Sequence, residues 1–101
     1  MRGSARPPEH IRDAVIGRYR FRDLGQEIEV FERYGQLWVQ PAGAAASRLL
    51  HDRDGRFRVD LPGEPLVQVF DLTRAPAPSF VSIEGSAEYR AERVASPPAD
   101  P

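Results

Sequence analysis

The stretch GRYRFRDLGQEIEVFERYGQLWV, residues 17–39, decides the fold because apolar and charged side chains alternate along it. Tyr19 and Phe21 alternate with arginines, and Ile28 and Val30 alternate with glutamates. This period of two is typical of a β-strand that has one dry face and one solvated face. The stretch therefore predicts neighbouring strands of an antiparallel sheet rather than a nucleic-acid surface built from interleaved arginines and aromatics.

Two turn signals divide this stretch into three strands. DLGQ at 23–26 is a four-residue turn signal, and glycine in Tyr34-Gly35 supplies the positive φ of a tight hairpin. Folding the chain about 23–26 predicts a register in which both faces agree. The opposed pairs of that register are Phe21 with Ile28, Tyr19 with Val30, Arg22 with Glu27, and Arg20 with Glu29.

Further strand-like segments continue to the C-terminal end of the chain. They are ASRLLH, RFRVD, EPLVQVFDL, SFVSIEG and SAEYRAERV, which bring the total to about eight short strands. The spacing predicts an all-β barrel or sandwich, with one helical turn around PEHIRDAV, where Pro8 could open it. The predicted interior residues are Val15, Tyr19, Phe21, Ile28, Val30, Leu37, Val39, Leu49, Phe57, Val59, Phe70, Val81, Ile83 and Tyr89.

Composition excludes several kinds of chemistry. The chain has 101 residues, no cysteine, no lysine and a formal net charge of −1. Thiol catalysis and thiolate metal sites need cysteine, Schiff-base chemistry needs an amine, and tight phosphate-backbone binding needs a basic excess. Ser47, His51 and Asp52 are the residue types of a catalytic triad. Side chains along one strand and its turn point apart, however, so we do not expect these three to converge on a substrate. We predict no enzyme activity, no cofactor, no metal site and no nucleic-acid partner.

The proline-rich ends differ in composition from the centre of the chain. We predict disordered tails at 1–10 and 95–101, flanking one barrel domain at 11–94. No apolar run has the length of a membrane span, and no apolar core follows the basic N-terminus as in a secretory signal. The predicted location is therefore the cytoplasm, with no membrane partner.

The motifs IGRYRF (16–21), IEVFERYGQLWVQPAG (28–43) and VSIEGSAEYRAERV (81–94) resemble a known family in their order and spacing. The chain is similar to the small lipocalin-like C-terminal accessory domain of β-lactamase and penicillin-binding-protein-type serine hydrolases. This resemblance implies an eight-stranded up-and-down antiparallel barrel, with the chemistry on a separate hydrolase domain. It carries over no catalytic residue. The segment TRAPAPS departs from the family's tight turn and predicts a stiff loop before the penultimate strand.

The resemblance also implies that a cation from the last strand covers an aromatic ring of the first strand. We predict that Arg93 lies over Tyr19 and that Gly17 leaves room for the close approach, with Arg93 in solvent as the alternative. Phe31 and Trp38 are predicted to face each other outside the barrel as a docking patch. The alternative for this pair is a bulge, or coverage by the N-terminal turn through Ile11.

These observations predict a non-catalytic accessory module that mediates docking or oligomerisation. Its expected partner is a β-lactamase-type hydrolase domain or a second copy of the chain. A barrel that carries a small apolar ligand in its interior is the alternative, because eight strands leave room for side chains or for one small ligand. A barrel that binds single-stranded nucleic acid is a third possibility.

Overall fold

Eight strands follow one short helix, and each strand pairs antiparallel with the next one along the chain. A computed structural model describes residues 6–63 and 65–94. Strand β8 pairs back with β1, which closes the barrel and confirms the predicted fold class. The elements are α1 (Glu9–Val15), β1 (Gly17–Phe21), β2 (Glu27–Arg33), β3 (Gln36–Pro41), β4 (Ser47–Arg53), β5 (Arg56–Val59), β6 (Leu66–Phe70), β7 (Ser79–Glu84) and β8 (Ala87–Arg93).

Helix α1 packs against one end of the barrel. The Pro8 carbonyl accepts hydrogen bonds from the N–H groups of Ile11 and Arg12, at 3.1 and 3.0 Å, so Pro8 is the N-cap residue of the helix. Ile11 and Val15 point into the core. Val15, a predicted interior residue, is fully buried as the last residue of the helix, and the extended backbone starts at Ile16. The helix starts two residues before the predicted domain boundary, and positions 1–5 and 95–101 of the predicted tails lie outside the described residues.

The first hairpin has a different register from the predicted one. Tyr19 pairs with Ile28 and Arg20 with Glu27, so each β1 residue meets a β2 residue two positions earlier than expected. The loop comprises 22–25, because Gly25, at φ 68°, takes its last position and donates its N–H to the Phe21 carbonyl at 2.8 Å. The inward and outward faces are nevertheless as predicted, since a shift of two residues preserves the alternation.

The second hairpin matches its prediction. Tyr34 and Gly35 have φ values of 56° and 74°, the positive pair that a two-residue type I′ turn requires. The pairing then runs without interruption back to Ile28, and it places Phe31 opposite Trp38.

Aromatic side chains fill the barrel interior. Phe80 lies at the centre of this cluster, with ring-centroid distances of 4.9 Å to Tyr19, 4.8 Å to Phe70 and 5.7 Å to Phe21. The predicted interior positions Val81 and Ile83 were wrong. Phe80 and Ser82 are buried on β7, so the residues that alternate with them face outward and are half-buried. Alternation favours Val81 and Ile83 as the inward side, because Phe80 shares its side of the strand with Ser82 and Glu84, but the larger phenyl ring occupies the interior.

The two ends of the barrel differ. Helix α1 and the buried Ala77 of the β6–β7 loop cover one end, where the Ala77 N–H donates to the Ala14 carbonyl at 2.8 Å. The turns that follow β1, β3, β5 and β7 surround the opposite end. Within 6–63 and 65–94, no helix has the length and apolar composition needed to cross a membrane.

Candidate functional site

Arg93 ties three parts of the chain together at the helix-covered end. Its guanidinium donates to the carbonyls of Ala77 at 2.6 Å, Ile16 at 3.1 Å and Ala14 at 2.9 Å. It also donates to the Tyr19 hydroxyl at 2.9 Å and lies 4.9 Å from the centre of that ring. Arg93 and Tyr19 are direct partners across the β1–β8 seam. The side chain therefore joins the helix end, the β6–β7 loop and the seam that closes the barrel.

Gly17 leaves the space that this guanidinium occupies. A Cβ built at Gly17 would overlap Nη1 of Arg93 and lie 3.0 Å from its Cζ. The backbone φ of Gly17 is 148°, a conformation that residues with a side chain rarely adopt. The structure thus places Gly17, Tyr19 and Arg93 in one cluster at the barrel end.

Tyr19 is fully buried in this cluster. Its hydroxyl donates to the Val15 carbonyl at 2.8 Å and accepts from Arg93. Desolvation of the phenolate by burial raises the pKa of Tyr19 to about 12, and the charge and hydrogen bond of Arg93 oppose this rise. The neutral phenol is therefore the form that the fold stabilises.

This raised pKa predicts a loss of stability at high pH. A tyrosine in the unfolded chain has a pKa of about 10, so the stabilisation is complete below pH 10 and is lost as pH rises towards 12. The free energy of unfolding is expected to fall by up to about 1.4 kcal/mol per pH unit in that window. Urea unfolding at pH 9, 10 and 11 measures the slope. Tyr19→Phe should flatten it, and an equally steep slope in that variant would contradict the assignment.

Phe31 and Trp38 lie outside the barrel beneath the side chain and backbone of Arg33. The Arg33 guanidinium lies 5.2 Å from the centre of the Phe31 ring, and the Trp38 indole N–H donates to the Arg33 carbonyl at 3.1 Å. Both aromatic side chains are half-buried. The β2–β3 register contains no bulge here, and Ile11 points into the core, so neither predicted alternative describes this pair.

A second apolar surface, which the sequence patterns did not predict, lies on strands β6 and β7. Val67 pairs with Ile83 and Val69 with Val81, and all four side chains project outward and are half-buried. We call these four residues the β6–β7 face. The segment LVQVF indicates this surface in the sequence, because it has apolar residues on both sides and must therefore expose some of them whichever side faces the core.

The structure gives Ser47, His51 and Asp52 separate contacts. His51 Nε2 lies 2.9 Å from the Asp54 carbonyl oxygen, and Asp52 accepts a bond from Arg56 Nε at 3.1 Å. Ser47 is four positions from His51 along strand β4, roughly 13 Å at 3.3 Å per residue. Among residues 6–63 and 65–94, no group of three or more metal-ligating His, Cys, Asp or Glu side chains converges.

The open end of the barrel holds a cavity of about 280 Å³. Its apolar lining includes Phe21, Ile28 and Leu66, and its polar lining includes a row formed by Gln68, Ser82 and Tyr89. Gln68 is cross-strand partner to Ser82, which is partner to Tyr89. Gln68 and Ser82 were not among the predicted interior residues, all of which are aliphatic or aromatic.

Together these features define a closed eight-stranded antiparallel barrel with one covered end, one open end and an apolar outer face. Comparisons of the chain with protein-family models, curated proteins and solved structures found no match.

Proposed function

We propose that this chain is a non-catalytic interaction module that associates with a second copy of itself through the β6–β7 face. The observation that carries this proposal is the pair of adjacent aliphatic cross-strand contacts, Val67 with Ile83 and Val69 with Val81, on the outside of the barrel. The outward face of an antiparallel sheet is ordinarily polar. Contiguous apolar surface in such a position is typical of protein–protein contacts.

Charges on either side of this face favour a second copy as the occupant. One row across the strands reads Arg58, Val67, Ile83 and Glu88, with a cation at one edge and an anion at the other. Neither charged side chain forms an ion pair with another residue in the described part of the chain. A two-fold axis parallel to the strands would bring the Arg58 of each copy against the Glu88 of its partner. This makes the surface self-complementary.

The second row of the face is compatible with the same arrangement. Arg56 and Arg90 lie beside Val69 and Val81, respectively, and would meet each other across the two-fold axis. Each already pairs with a carboxylate of its own chain, Arg56 with Asp52 at 3.1 Å and Arg90 with Glu92 at 3.6 Å. These pairs reduce the repulsion between the two arginines.

The resemblance to accessory domains of β-lactamase-type hydrolases supports the same class of function. Such domains pack on a neighbouring domain or contribute to assembly, while the hydrolase domain performs the chemistry. A hydrolase domain could also contact the Phe31–Trp38 pair, which is the other apolar surface on the outside of the barrel, although Arg33 covers part of it.

If the chain associates through the β6–β7 face, a charge introduced within this face should weaken the dimer, whereas a charge change elsewhere on the barrel should not. Val69→Glu is expected to raise the dimer dissociation constant at least tenfold, because a carboxylate would be desolvated at the centre of the interface, where Arg56 and Arg90 already pair with carboxylates of their own chain. Arg18→Glu, on the exposed outer face of β1, is the matched control and should leave the constant within about threefold. Sedimentation equilibrium over 10 µM to 1 mM measures both.

The charge pairs provide a second arm of this test. Arg58→Glu and Glu88→Arg should each weaken the dimer, and the double variant should restore it. A wild-type chain that remains monomeric at 1 mM would refute self-association. Loss of association in Trp38→Glu but not in Val69→Glu would refute the β6–β7 face and move the contact to the Phe31–Trp38 pair.

A further inference from the structure

Two hydroxyl groups line the cavity at the open end of the barrel without a hydrogen-bond partner. Ser82 is 5% exposed, and Tyr89, its cross-strand partner on β8, is half-buried. Neither hydroxyl forms a hydrogen bond within residues 6–63 and 65–94, and neither oxygen is sealed from solvent. Unpaired polar groups are rare in protein interiors unless water or a ligand satisfies them. Both hydroxyls are therefore available to a molecule in the cavity.

The amide nitrogen of Gln68 adds a donor to these hydroxyls. Gln68 is the cross-strand partner of Ser82, and its amide oxygen is fully enclosed, so the nitrogen is the polar atom left accessible. Side chains directly opposite on neighbouring strands have Cβ atoms about 5 Å apart, so Gln68, Ser82 and Tyr89 form one continuous polar row. An amide N–H only donates, whereas a hydroxyl donates or accepts. A hydrogen-bond acceptor is therefore the one group that all three side chains can bind.

The wall around this row is apolar. Phe21 and Ile28 line the cavity, and Leu24, which is 60% exposed, offers an apolar surface at the entrance. At roughly 30 Å³ per water, the volume of about 280 Å³ equals that of about nine waters, which suits a bicyclic aromatic molecule rather than a long lipid chain. We propose that the open end binds a small, neutral, largely apolar molecule whose carbonyl oxygen accepts hydrogen bonds from the polar row.

A charge at the rim disfavours anionic ligands. Glu84 lies two residues after Ser82 on the same side of β7 and is exposed. It is the one charged side chain among the lining residues that the structure describes. Its carboxylate repels an anion, so a carboxylate such as a fatty acid binds more weakly than a neutral ketone of the same size.

This site is independent of the proposed self-association. The cavity opens inside the barrel between the ends of β1, β6, β7 and β8, whereas the β6–β7 face lies on the outer surface of the sheet. Val69→Glu should therefore leave ligand binding unchanged, so failure of one proposal does not imply failure of the other.

Two naphthalenes that differ only in the acceptor provide the test. They are 2-acetylnaphthalene and 2-isopropenylnaphthalene, in which a CH₂ group replaces the carbonyl oxygen. Titration of ¹⁵N-labelled protein with the ketone, followed by ¹H–¹⁵N correlation spectra, should shift the amides of residues 21–28, 66–68 and 82–89. The anionic 2-naphthoate should bind more weakly than the ketone.

Ser82→Ala and Tyr89→Phe each remove one hydroxyl and keep the rest of the side chain. Each should weaken binding of the ketone about fivefold and change binding of the alkene less than about twofold, because only the ketone loses a hydrogen bond. Ser79→Ala is the matched control. It removes a serine hydroxyl from the same strand at the covered end, where Ser79 is 4% exposed, and it should leave both affinities within about twofold.

The vibrational spectrum of the bound ketone provides a second measurement. Its carbonyl stretch should move to higher frequency in the variant that combines Ser82→Ala with Tyr89→Phe, because fewer hydrogen bonds weaken the C=O bond. An unchanged frequency would overturn the proposal, as would equal weakening of the ketone and the alkene by the hydroxyl deletions. Absence of saturable ketone binding up to roughly 1 mM, or amide shifts confined to other regions, would also overturn it. The wild-type titration gives a result even if a variant fails to fold.

Discussion

Arg93→Ala is expected to lower the free energy of unfolding by about 3 kcal/mol and the melting temperature by about 15 °C. The guanidinium makes four hydrogen bonds and a cation–π contact, and three of its acceptors are backbone carbonyls at the covered barrel end. Each hydrogen bond contributes about 1 kcal/mol net, and the ring contact adds on the order of 1 kcal/mol. Solvent reaching the carbonyls in the variant offsets part of this sum.

Arg90→Ala is the matched control, because it removes the same side chain from the same strand. The Arg90 side chain is exposed, and its ion pair with Glu92 spans 3.6 Å, so its loss should change stability by no more than about 0.5 kcal/mol. Arg93→Lys should recover only part of the loss, since an ammonium cannot reach acceptors in several directions at once. Thermal and urea unfolding measure all three variants. Equal effects at positions 90 and 93 would show that Arg93 does not hold the barrel end.

Gly17→Ala is expected to destabilise the protein by about 3 kcal/mol for a reason that involves the same arginine. The new methyl group would overlap the Arg93 guanidinium, and a φ of 148° is strained for alanine. Gly43→Ala is the control for backbone strain alone. Its φ is also positive, at 80°, but no atom lies within 4 Å of the position its Cβ would occupy. This control should cost about 1 kcal/mol.

A double-mutant cycle distinguishes the steric part of this effect. If the methyl group displaces Arg93, Gly17→Ala should cost about 1–2 kcal/mol less in an Arg93→Ala background than in the wild type. Gly43→Ala should cost the same in both backgrounds, because no contact links it to Arg93. Additive effects for the Gly17 and Arg93 variants would contradict a direct clash between them.

Sequence patterns predicted the elements whose two faces differ in polarity. Arg18 and Arg20 on β1, and Glu27 and Glu29 on β2, alternate with apolar residues, so the inward residues Tyr19, Ile28 and Val30 were identified correctly. The β2–β3 turn was also predicted, because a glycine at positive φ specifies that hairpin locally. The predicted register of the first hairpin was wrong by two residues. The sequence allows a four-residue loop at 23–26 or at 22–25, and only the backbone hydrogen bonds of the folded chain show that the second is formed.

Local sequence patterns did not predict which side of strand β7 faces the barrel interior, or that Gln68 on strand β6 is buried. On strand β7 alternation points the wrong way, because Val81 and Ile83 share one side whereas Phe80 shares the other with Ser82 and Glu84. Packing decides: the Phe80 ring fits among Tyr19 and Phe70 across the closed barrel. Gln68 was not predicted, although it lies two residues from Phe70 and therefore on the same side of strand β6, because only the folded neighbours show that a polar side chain is buried there.

The amino-acid sequence by itself determined the strands and hairpins of an all-β barrel or sandwich, because alternating polarity and turn glycines act between residues a few positions apart. Closure of these strands into a barrel belongs to the tertiary structure. Tertiary structure alone decided what that barrel presents: the outward valines, the cavity beside Gln68 and the acceptors of Arg93. The carbonyls that Arg93 bonds lie 16, 77 and 79 positions away along the chain. The two longest of these contacts arise only when the barrel closes and brings its first and last strands together.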